Sequence, residues 1–133
     1  MPESSKRPAE GLIQQVRHVE KPWGYEDIFA ETEDYVGKVI FVRQGQRLSL
    51  QYHEVKDETM TLLSGVAELH AGDSADNLKP ISLSRAESVR LRPGVMHRLV
   101  ALEDCEVLEV STPHLQDVVR VSDDYGRENT TAP

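Results

Sequence analysis

The chain is poor in three features on which other classes of protein depend. It has a single cysteine, Cys105, so it can form neither an intrachain disulfide nor a cysteine-based zinc site. Aromatic residues make up only 5%, which argues against a module that stacks nucleic-acid bases. No run approaches the roughly 20 apolar residues needed to span a bilayer, and the polar N-terminus does not resemble a signal peptide. These absences indicate a reduced, cytoplasmic protein.

Positive charge is scarce as well. The chain has 15 Lys and Arg against 23 Asp and Glu, which gives a formal net charge of -8. A net negative surface repels phosphate backbones and anionic lipids, so we expect neither nucleic-acid nor membrane partners. The length of 133 residues fits one domain. We expect a flexible N-terminal arm over residues 1–12, a globular domain over 13–127 and a C-terminal tail over 128–133.

Within the globular part, the apolar residues alternate with period two, the pattern of half-buried strands. The predicted strands are 24–30, 35–43, 48–53, 60–63, 66–70, 81–83, 88–91, 97–102, 106–111 and 117–121. Turn residues separate them, at 44–46, 64–65, 71–73, 92–94 and 112–113. No segment of ten or more residues combines helical periodicity with caps. The pattern predicts an all-β antiparallel sandwich or barrel.

The predicted strand 48–53 carries the most informative chemistry. Its alternation places Gln51 and His53 on the same face. Glu58 follows a short polar loop and returns to the same point if the two strands form a hairpin, while His97 begins a strand after the turn at Pro93-Gly94. Two imidazoles, a carboxylate and an amide oxygen could hold a divalent metal with open positions. The spacing alone is equally compatible with histidines that only pack or face solvent.

Two segments resemble the cupin motifs. The first runs from Gly45 through Gln51-Tyr52-His53 to Glu58 and Gly65, with Gln51 where the first histidine of the motif normally stands. The second, Pro93-Gly94-Val95-Met96-His97, is similar to Pro-x-Gly-x-x-His, with Arg92 in place of its first proline and Ala101 in place of its closing asparagine. The resemblance implies a single cupin domain, a double-stranded β-helix or jelly-roll barrel.

Among cupins, the chain most resembles the mannose-6-phosphate isomerase-like branch, the C-terminal domain of type II phosphomannose isomerases. The resemblance rests on residues 21–26, 45–53, 93–98 and 117–127. Phosphomannose isomerases bind their metal through Gln, His, Glu and His. Carried over position by position, the resemblance implies the ligands Gln51, His53, Glu58 and His97.

The chain departs from this family in the loop after His53. The type II enzymes typically read His-His-His-Arg-Ala-Glu-His there, whereas Glu54, Val55 and Thr59 replace three of the histidines here. The chain is also too short to contain the nucleotidyltransferase half of the bifunctional enzymes, so we expect no GDP-mannose synthesis.

The resemblance implies a metal-dependent aldose–ketose isomerase that acts on mannose 6-phosphate or a similar sugar phosphate. Zinc is the first choice of metal, with manganese, nickel or iron as the other options. The alternatives are a non-catalytic cupin that binds a sugar or another metabolite, and a metal-dependent cupin oxygenase. The resemblance also implies a homodimer.

A sugar phosphate requires a cationic pocket in this acidic chain. Arg47, Lys38 and Arg127 are the candidate substrate-binding residues, and Arg98 and Arg120 are further options. The base that moves the proton stays open among Glu68, Lys38 and Lys56. We expect Trp23 to cap the barrel and Cys105, in an acidic stretch, to be unreactive.

Overall fold

The alternating pattern folds into eleven β-strands within residues 10–128, the part of the chain that the computed structural model describes. The strands are β1 (Arg17–Lys21), β2 (Gly24–Glu31), β3 (Val36–Val42), β4 (Leu50–Tyr52), β5 (Glu58–Ser64), β6 (Ala67–Gly72), β7 (Lys79–Ser82), β8 (Val89–Leu91), β9 (Met96–Ala101), β10 (Cys105–Ser111) and β11 (Val119–Ser122). A 3₁₀ turn at Glu10–Leu12 precedes them. Residues 1–9 and 129–133, most of the predicted arm and tail, lie outside the described residues.

The strands form two antiparallel sheets. One has six strands in the order β1-β2-β3-β10-β5-β8, and the other has five in the order β11-β4-β9-β6-β7. Successive sheet neighbours are mostly distant in sequence, as expected of a jelly roll. The predicted all-β class and jelly-roll arrangement are therefore confirmed. None of the described residues belongs to a helix long and apolar enough to cross a membrane.

The core lies between the two sheets. Val42 and Val107 from the six-stranded sheet are fully buried against Leu69 from the five-stranded sheet. Each such side chain contributes about 1.5–3 kcal/mol of burial free energy. The inward faces are not apolar throughout, because part of the interior is lined by polar and charged groups.

Strand β1 was not among the predicted strands. Its sequence, Arg17-His18-Val19-Glu20-Lys21, has one apolar residue and mostly exposed side chains, so it carries no alternating signal. It is one of the two edge strands of its sheet and forms because β2 offers it a complete ladder, with His18 opposite Asp27. Tertiary pairing rather than local pattern therefore creates this strand.

The turn between β5 and β6 requires its glycine. Gly65 has a φ of 84°, in the left-handed region that favours glycine. A Cβ added there would lie 2.0 Å from the carbonyl oxygen of Asp104. The predicted turn at 64–65 is thus packed directly against the connection between β9 and β10, which contains Asp104.

Candidate metal centre and substrate cavity

A polar cavity opens between the two sheets. With its open mouth included, the space not filled by atoms is about 650 Å³. Its polar lining combines carboxylates, histidines and an amide with lysines and arginines. These residues are Lys21, Glu26, Lys38, Gln51, His53, Lys56, Glu58, His97, Glu109, Arg120 and Arg127.

Three potential metal ligands converge at one end of this cavity. Nε2 of His53 lies 3.3 Å from Oε1 of Glu58, and Nε2 of His97 lies 3.6 Å from Oε2 of Glu58. Their ligand atoms all fall within 4.8 Å of one another. All three side chains are buried. Two imidazoles and a carboxylate so arranged have the donor types and spacing of a divalent-metal site.

Strand register explains the convergence on the five-stranded sheet. His97 on β9 pairs with Gln51 on the adjacent β4. Directly opposed residues share a face of the sheet, so the amide and the imidazole both point into the cavity. The turn before β9 is also tied to the ligand strand, because the backbone N–H of Gly94 donates to the carbonyl oxygen of His53 at 2.8 Å.

The second ring nitrogen of each histidine is held by a backbone carbonyl. Nδ1 of His53 lies 2.5 Å from the carbonyl oxygen of Asp117, and Nδ1 of His97 lies 3.0 Å from that of Val95. A carbonyl oxygen only accepts, so each Nδ1 carries a proton, and in the neutral form of each ring the lone pair lies on Nε2. These lone pairs face Glu58.

An unsatisfied buried atom supports the metal assignment. Nε2 of His53 makes no hydrogen bond with any residue of the described chain, although it is buried. Such atoms are rare in folded proteins because an unmade buried hydrogen bond costs about 1–3 kcal/mol. A cation bound by His53, Glu58 and His97 would satisfy it. The residues present therefore fit a divalent metal.

A band of alternating charges crosses the six-stranded sheet beside the ligands. Nζ of Lys38 lies 3.1 Å from Glu26 and 3.8 Å from Glu109. Nζ of Lys56 lies 3.3 Å from Glu109 and 3.2 Å from Glu58. All five side chains are buried, and four of them lie on the consecutive strands β2, β3, β10 and β5. The band therefore links the ligand Glu58 to the opposite end of the cavity.

Burial and neighbouring charges together determine the charge states of Glu58, Lys56 and His97. Burial raises the pKa of Glu58, but the contact with His53 and the charge of Lys56 outweigh it, so the pKa lies well below its usual range. Burial likewise lowers the pKa of Lys56, but the attraction of Glu109 and Glu58 raises the pKa overall. Burial is the main cause of the lowered pKa of His97. An ionised Glu58 and a neutral His97 are the forms that bind metals.

The structure brings the four predicted ligands into one cavity but separates the predicted cations. Gln51, half-buried, lines the cavity beside the other three ligands. Lys38 and Arg127 also line it. Arg47 is not among the lining residues, and its guanidinium makes two hydrogen bonds to Asp124, of 2.7 and 2.9 Å.

Two other sequence candidates lie away from the cavity lining. The guanidinium of Arg98 donates to the backbone carbonyl of Leu48 at 2.9 Å, in a structural contact. Glu68 lies 3.0 Å from Nε2 of His70. Of the candidate bases, Lys38 and Lys56 therefore line the cavity and Glu68 does not.

Sequence reasoning missed Glu26 and Glu109, two cavity residues that a simple signal could have found. Like the predicted candidate Lys38, they occupy inward positions of strands whose other inward residues are mostly apolar. A charge at an inward position must be paired or functional, because burying it alone is costly. Trp23 is also buried in the core and lines the cavity.

Cys105 is buried in the core and lies away from this site. Burial raises the pKa of its thiol to about 11, with smaller contributions from Asp104 and Glu106. The thiol is therefore protonated at neutral pH.

With this geometry in hand, comparison with known proteins identifies the family. The family described as "Mannose-6-phosphate isomerase C-terminal" matches residues 9–123. The chain belongs to this family. Family membership confirms the resemblance on which the ligand set was predicted.

The relatives are enzymes and biosynthesis proteins of bacterial sugar metabolism. Xanthan biosynthesis protein XanB of Xanthomonas campestris pv. campestris (strain B100) is 35% identical over 116 residues, covering 84% of this chain and 24% of XanB. Mannose-1-phosphate guanylyltransferase of Salmonella montevideo is 34% identical, with the same coverage. Alginate biosynthesis protein AlgA of Pseudomonas aeruginosa is 32% identical over 126 residues, covering 90% of this chain and 25% of AlgA. The chain thus spans about a quarter of the length of these relatives.

Solved structures share the fold. CapF of Staphylococcus aureus superposes with a TM-score of 0.68 at 18% identity, over 81% of this chain and 34% of CapF. Oxalate decarboxylase of Bacillus subtilis superposes with a TM-score of 0.69 at 15% identity, over 80% of this chain and 30% of the decarboxylase chain. KdgF of Halomonas sp. superposes with a TM-score of 0.63 at 23% identity, over 75% of this chain and 86% of KdgF. At these identities the likeness extends to the cupin fold alone.

Proposed function

We propose that the chain is a metal-dependent aldose–ketose isomerase of a sugar phosphate such as mannose 6-phosphate. The observation that carries the proposal is the buried His53, Glu58 and His97 cluster inside a cavity rich in cations. Gln51 completes the proposed ligand set from the neighbouring strand. Zinc suits this mixture of imidazole nitrogens and oxygens, and manganese, nickel or iron are the other options.

The charge of the cavity supports an anionic substrate. Among the described residues, its lining contains five of the chain's 15 Lys and Arg but only three of its 23 Asp and Glu. In a chain of net charge -8, this concentration of cations at one cavity favours an anion there. A sugar phosphate meets that requirement.

The three histidine replacements in the family loop do not reach the cavity. Glu54, Val55 and Thr59, which replace histidines of the type II enzymes, are all absent from the cavity lining. Glu54 and Val55 are exposed. The ligands and the cavity wall are therefore unaffected by these replacements, which supports the isomerase over a vestigial site.

The isomerisation moves a proton between C1 and C2 of the open-chain sugar. When bound, a divalent metal supplies Lewis-acid stabilisation of the negative charge that develops on the two sugar oxygens. The side chains of Gln51, His53, Glu58 and His97 would hold that metal. Lys56 stays protonated and keeps Glu58 ionised and oriented.

Metal retention and sugar-phosphate turnover test the proposal together. We expect the protein to retain a divalent metal after desalting and to interconvert mannose 6-phosphate and fructose 6-phosphate. His97→Ala should abolish retention, whereas His70→Ala, on the far side of β6 beside Glu68, should leave it intact. Unchanged metal affinity in His97→Ala would show that the ligand set is wrong.

The two alternatives have distinct signatures in the same assays. Stoichiometric binding of a sugar phosphate without turnover would identify a binding cupin. Retention of iron together with consumption of oxygen would identify an oxygenase. The homodimer stays a prediction, which light scattering of the purified protein tests.

A further inference from the structure

We propose that a second copy of this chain docks, face to face, on the outward side of the six-stranded sheet. This side points away from the cavity, so the proposal depends on neither the metal nor the proposed reaction. It assigns an interface and its centre from the side chains that this face presents.

The outward face of this sheet carries few charges. On the neighbouring strands β2, β3, β10 and β5, the outward residues alternate with those that line the core and the cavity. The apolar and aromatic residues at the centre of the face are Tyr25, Phe29, Val39, Phe41, Leu108 and Val110. Asp27 and Glu106 are the only charged residues at the outward positions of these four described strands, in a chain that is 29% charged. The solvent side of an antiparallel sheet is normally polar, so this face has the composition of an interface core.

Strand register gathers the most exposed apolar side chains of the face at one place. Val110 pairs with Gly37 on one side and with Thr59 on the other, and Gly37 also pairs with Ala30, next to Phe29. A bulge in β2 directs the ring of Phe29 over Gly37, where an added Cβ would lie 2.7 Å from the ring. Phe29 and Val110, which flank Gly37 on the central strand β3, are 43% and 49% exposed. Their exposure therefore belongs to the middle of the face and not to a sheet edge.

The size of the face meets the requirement of a stable dimer. The four strands and the adjacent β1 span about 24 Å across, at ~4.8 Å per strand, and about 24 Å along, at ~3.4 Å per residue. This is roughly 600 Å² per copy, or about 1,200 Å² for a pair, which reaches the lower end of specific interfaces. Val16, directly before β1, and Tyr35, directly before β3, are each 56% exposed and extend the apolar area at the end near Phe29. A second copy presents a sheet of the same dimensions, and two such sheets pack face to face.

The charges near the two edges of the face favour the same arrangement. Near the β1 edge, two carboxylates, those of Glu20 and Asp27, share one imidazole. Beside β8, Arg90 binds the carboxylate of Asp57 at 2.6 Å, and the charge of Arg92 adds to that of Arg90 in lowering the pKa of this carboxyl. One edge therefore has an excess of negative charge and the other an excess of positive charge. A two-fold axis parallel to the strands places the acidic edge of each copy over the basic edge of its partner.

The experiment measures self-association of the full chain by sedimentation velocity and light scattering over a series of protein concentrations. Val110→Asp places a charge at the centre of the face. Val110→Thr keeps the branched shape, and with it the fold, while adding one hydroxyl group to the interface. Val121→Asp is the matched control, because Val121 is 43% exposed on β11, in the other sheet. Melting temperatures establish which variants are folded, and Val110→Thr decides the outcome if Val110→Asp is not.

We expect a wild-type dimer whose dissociation constant rises at least about a hundredfold in Val110→Asp, less in Val110→Thr and not at all in Val121→Asp. A monomeric wild type overturns a second copy as the occupant of this face. A dimer that folded Val110 variants leave unchanged, or that Val121→Asp weakens equally, overturns the face as the interface. Turnover separates the two proposals. A dimer with this variant pattern but without isomerisation refutes the isomerase alone, whereas isomerisation by a monomeric wild type refutes the interface alone.

Discussion

The backbone carbonyl of Asp117 accepts a hydrogen bond from Nδ1 of His53 at 2.5 Å, and the side chain of the same aspartate holds the loop that follows this histidine. Its carboxylate accepts from the backbone N–H groups of Glu54, Val55 and Lys56 at 3.1, 2.7 and 2.8 Å. One residue from the segment before β11 thus orients a candidate ligand and the connection from that ligand to Glu58. Hydrogen bonds that orient a metal ligand without contacting the metal commonly change the affinity of the site for its metal.

Replacing Asp117 with asparagine should loosen the metal site without removing a ligand. Every substitution keeps the backbone carbonyl, but the asparagine side chain has one acceptor oxygen in place of two and no charge. We expect a loss of roughly 2 kcal/mol in stability and a fall of about tenfold in metal affinity, measured by thermal melting and by competition with a chelating dye. Asp34→Asn, at an exposed turn, is the control. A folded Asp117→Asn protein that binds metal as tightly as the wild type would contradict this role.

Glu109 is expected to be the most sensitive member of the buried charge band. It lies between the ammonium groups of Lys38 and Lys56, and Glu109→Gln leaves both with one fewer buried carboxylate. Breaking a buried pair on one side typically costs about 3–5 kcal/mol. We expect a loss of about that size in urea unfolding, and less than about 0.5 kcal/mol for Glu106→Gln on the outward face of the same strand. Equal stabilities of the two variants would show that the band contributes little.

His18 should make the pairing of β1 with β2 depend on pH. Hydrogen bonds with Glu20 and Asp27 raise the pKa of its imidazole above the ordinary value of 6.5. The protonated form is therefore favoured by folding, and its contribution is complete below about pH 6.5 and is lost as pH rises through the raised pKa. The melting temperature of the wild type should exceed that of His18→Gln most clearly on the acidic side of this range.

Salt provides the check on this interpretation. His18 is exposed, so its attraction to the two carboxylates should weaken at about 1 M salt, where the Debye length is ~3 Å. A difference between wild type and His18→Gln that is independent of both pH and salt would indicate a packing effect, such as its contact with the ring of Tyr25, 4.8 Å away.

The amino-acid sequence by itself determined the fold class and the identity of the candidate ligands. Alternation of apolar residues is a local property, so β3, β5 and β10 could be predicted from it. The predicted ligand set came from the resemblance of two short motifs to those of the cupins, since the spacing of Gln51 and His53 alone is equally compatible with side chains that only pack. Edge strand β1 could not be predicted in this way, since only its partner makes it a strand.

Only the tertiary structure decided which charges meet. Arg47 and Arg127 are equivalent in a sequence, but one is paired with Asp124 outside the cavity and the other lines it. Glu26, Lys38 and Glu109 are far apart in the chain and become neighbours because β2, β3 and β10 are adjacent in one sheet. The energy of a buried charge depends on the groups that surround it from several elements. Those groups are assembled by long-range strand pairing, which the local pattern does not encode.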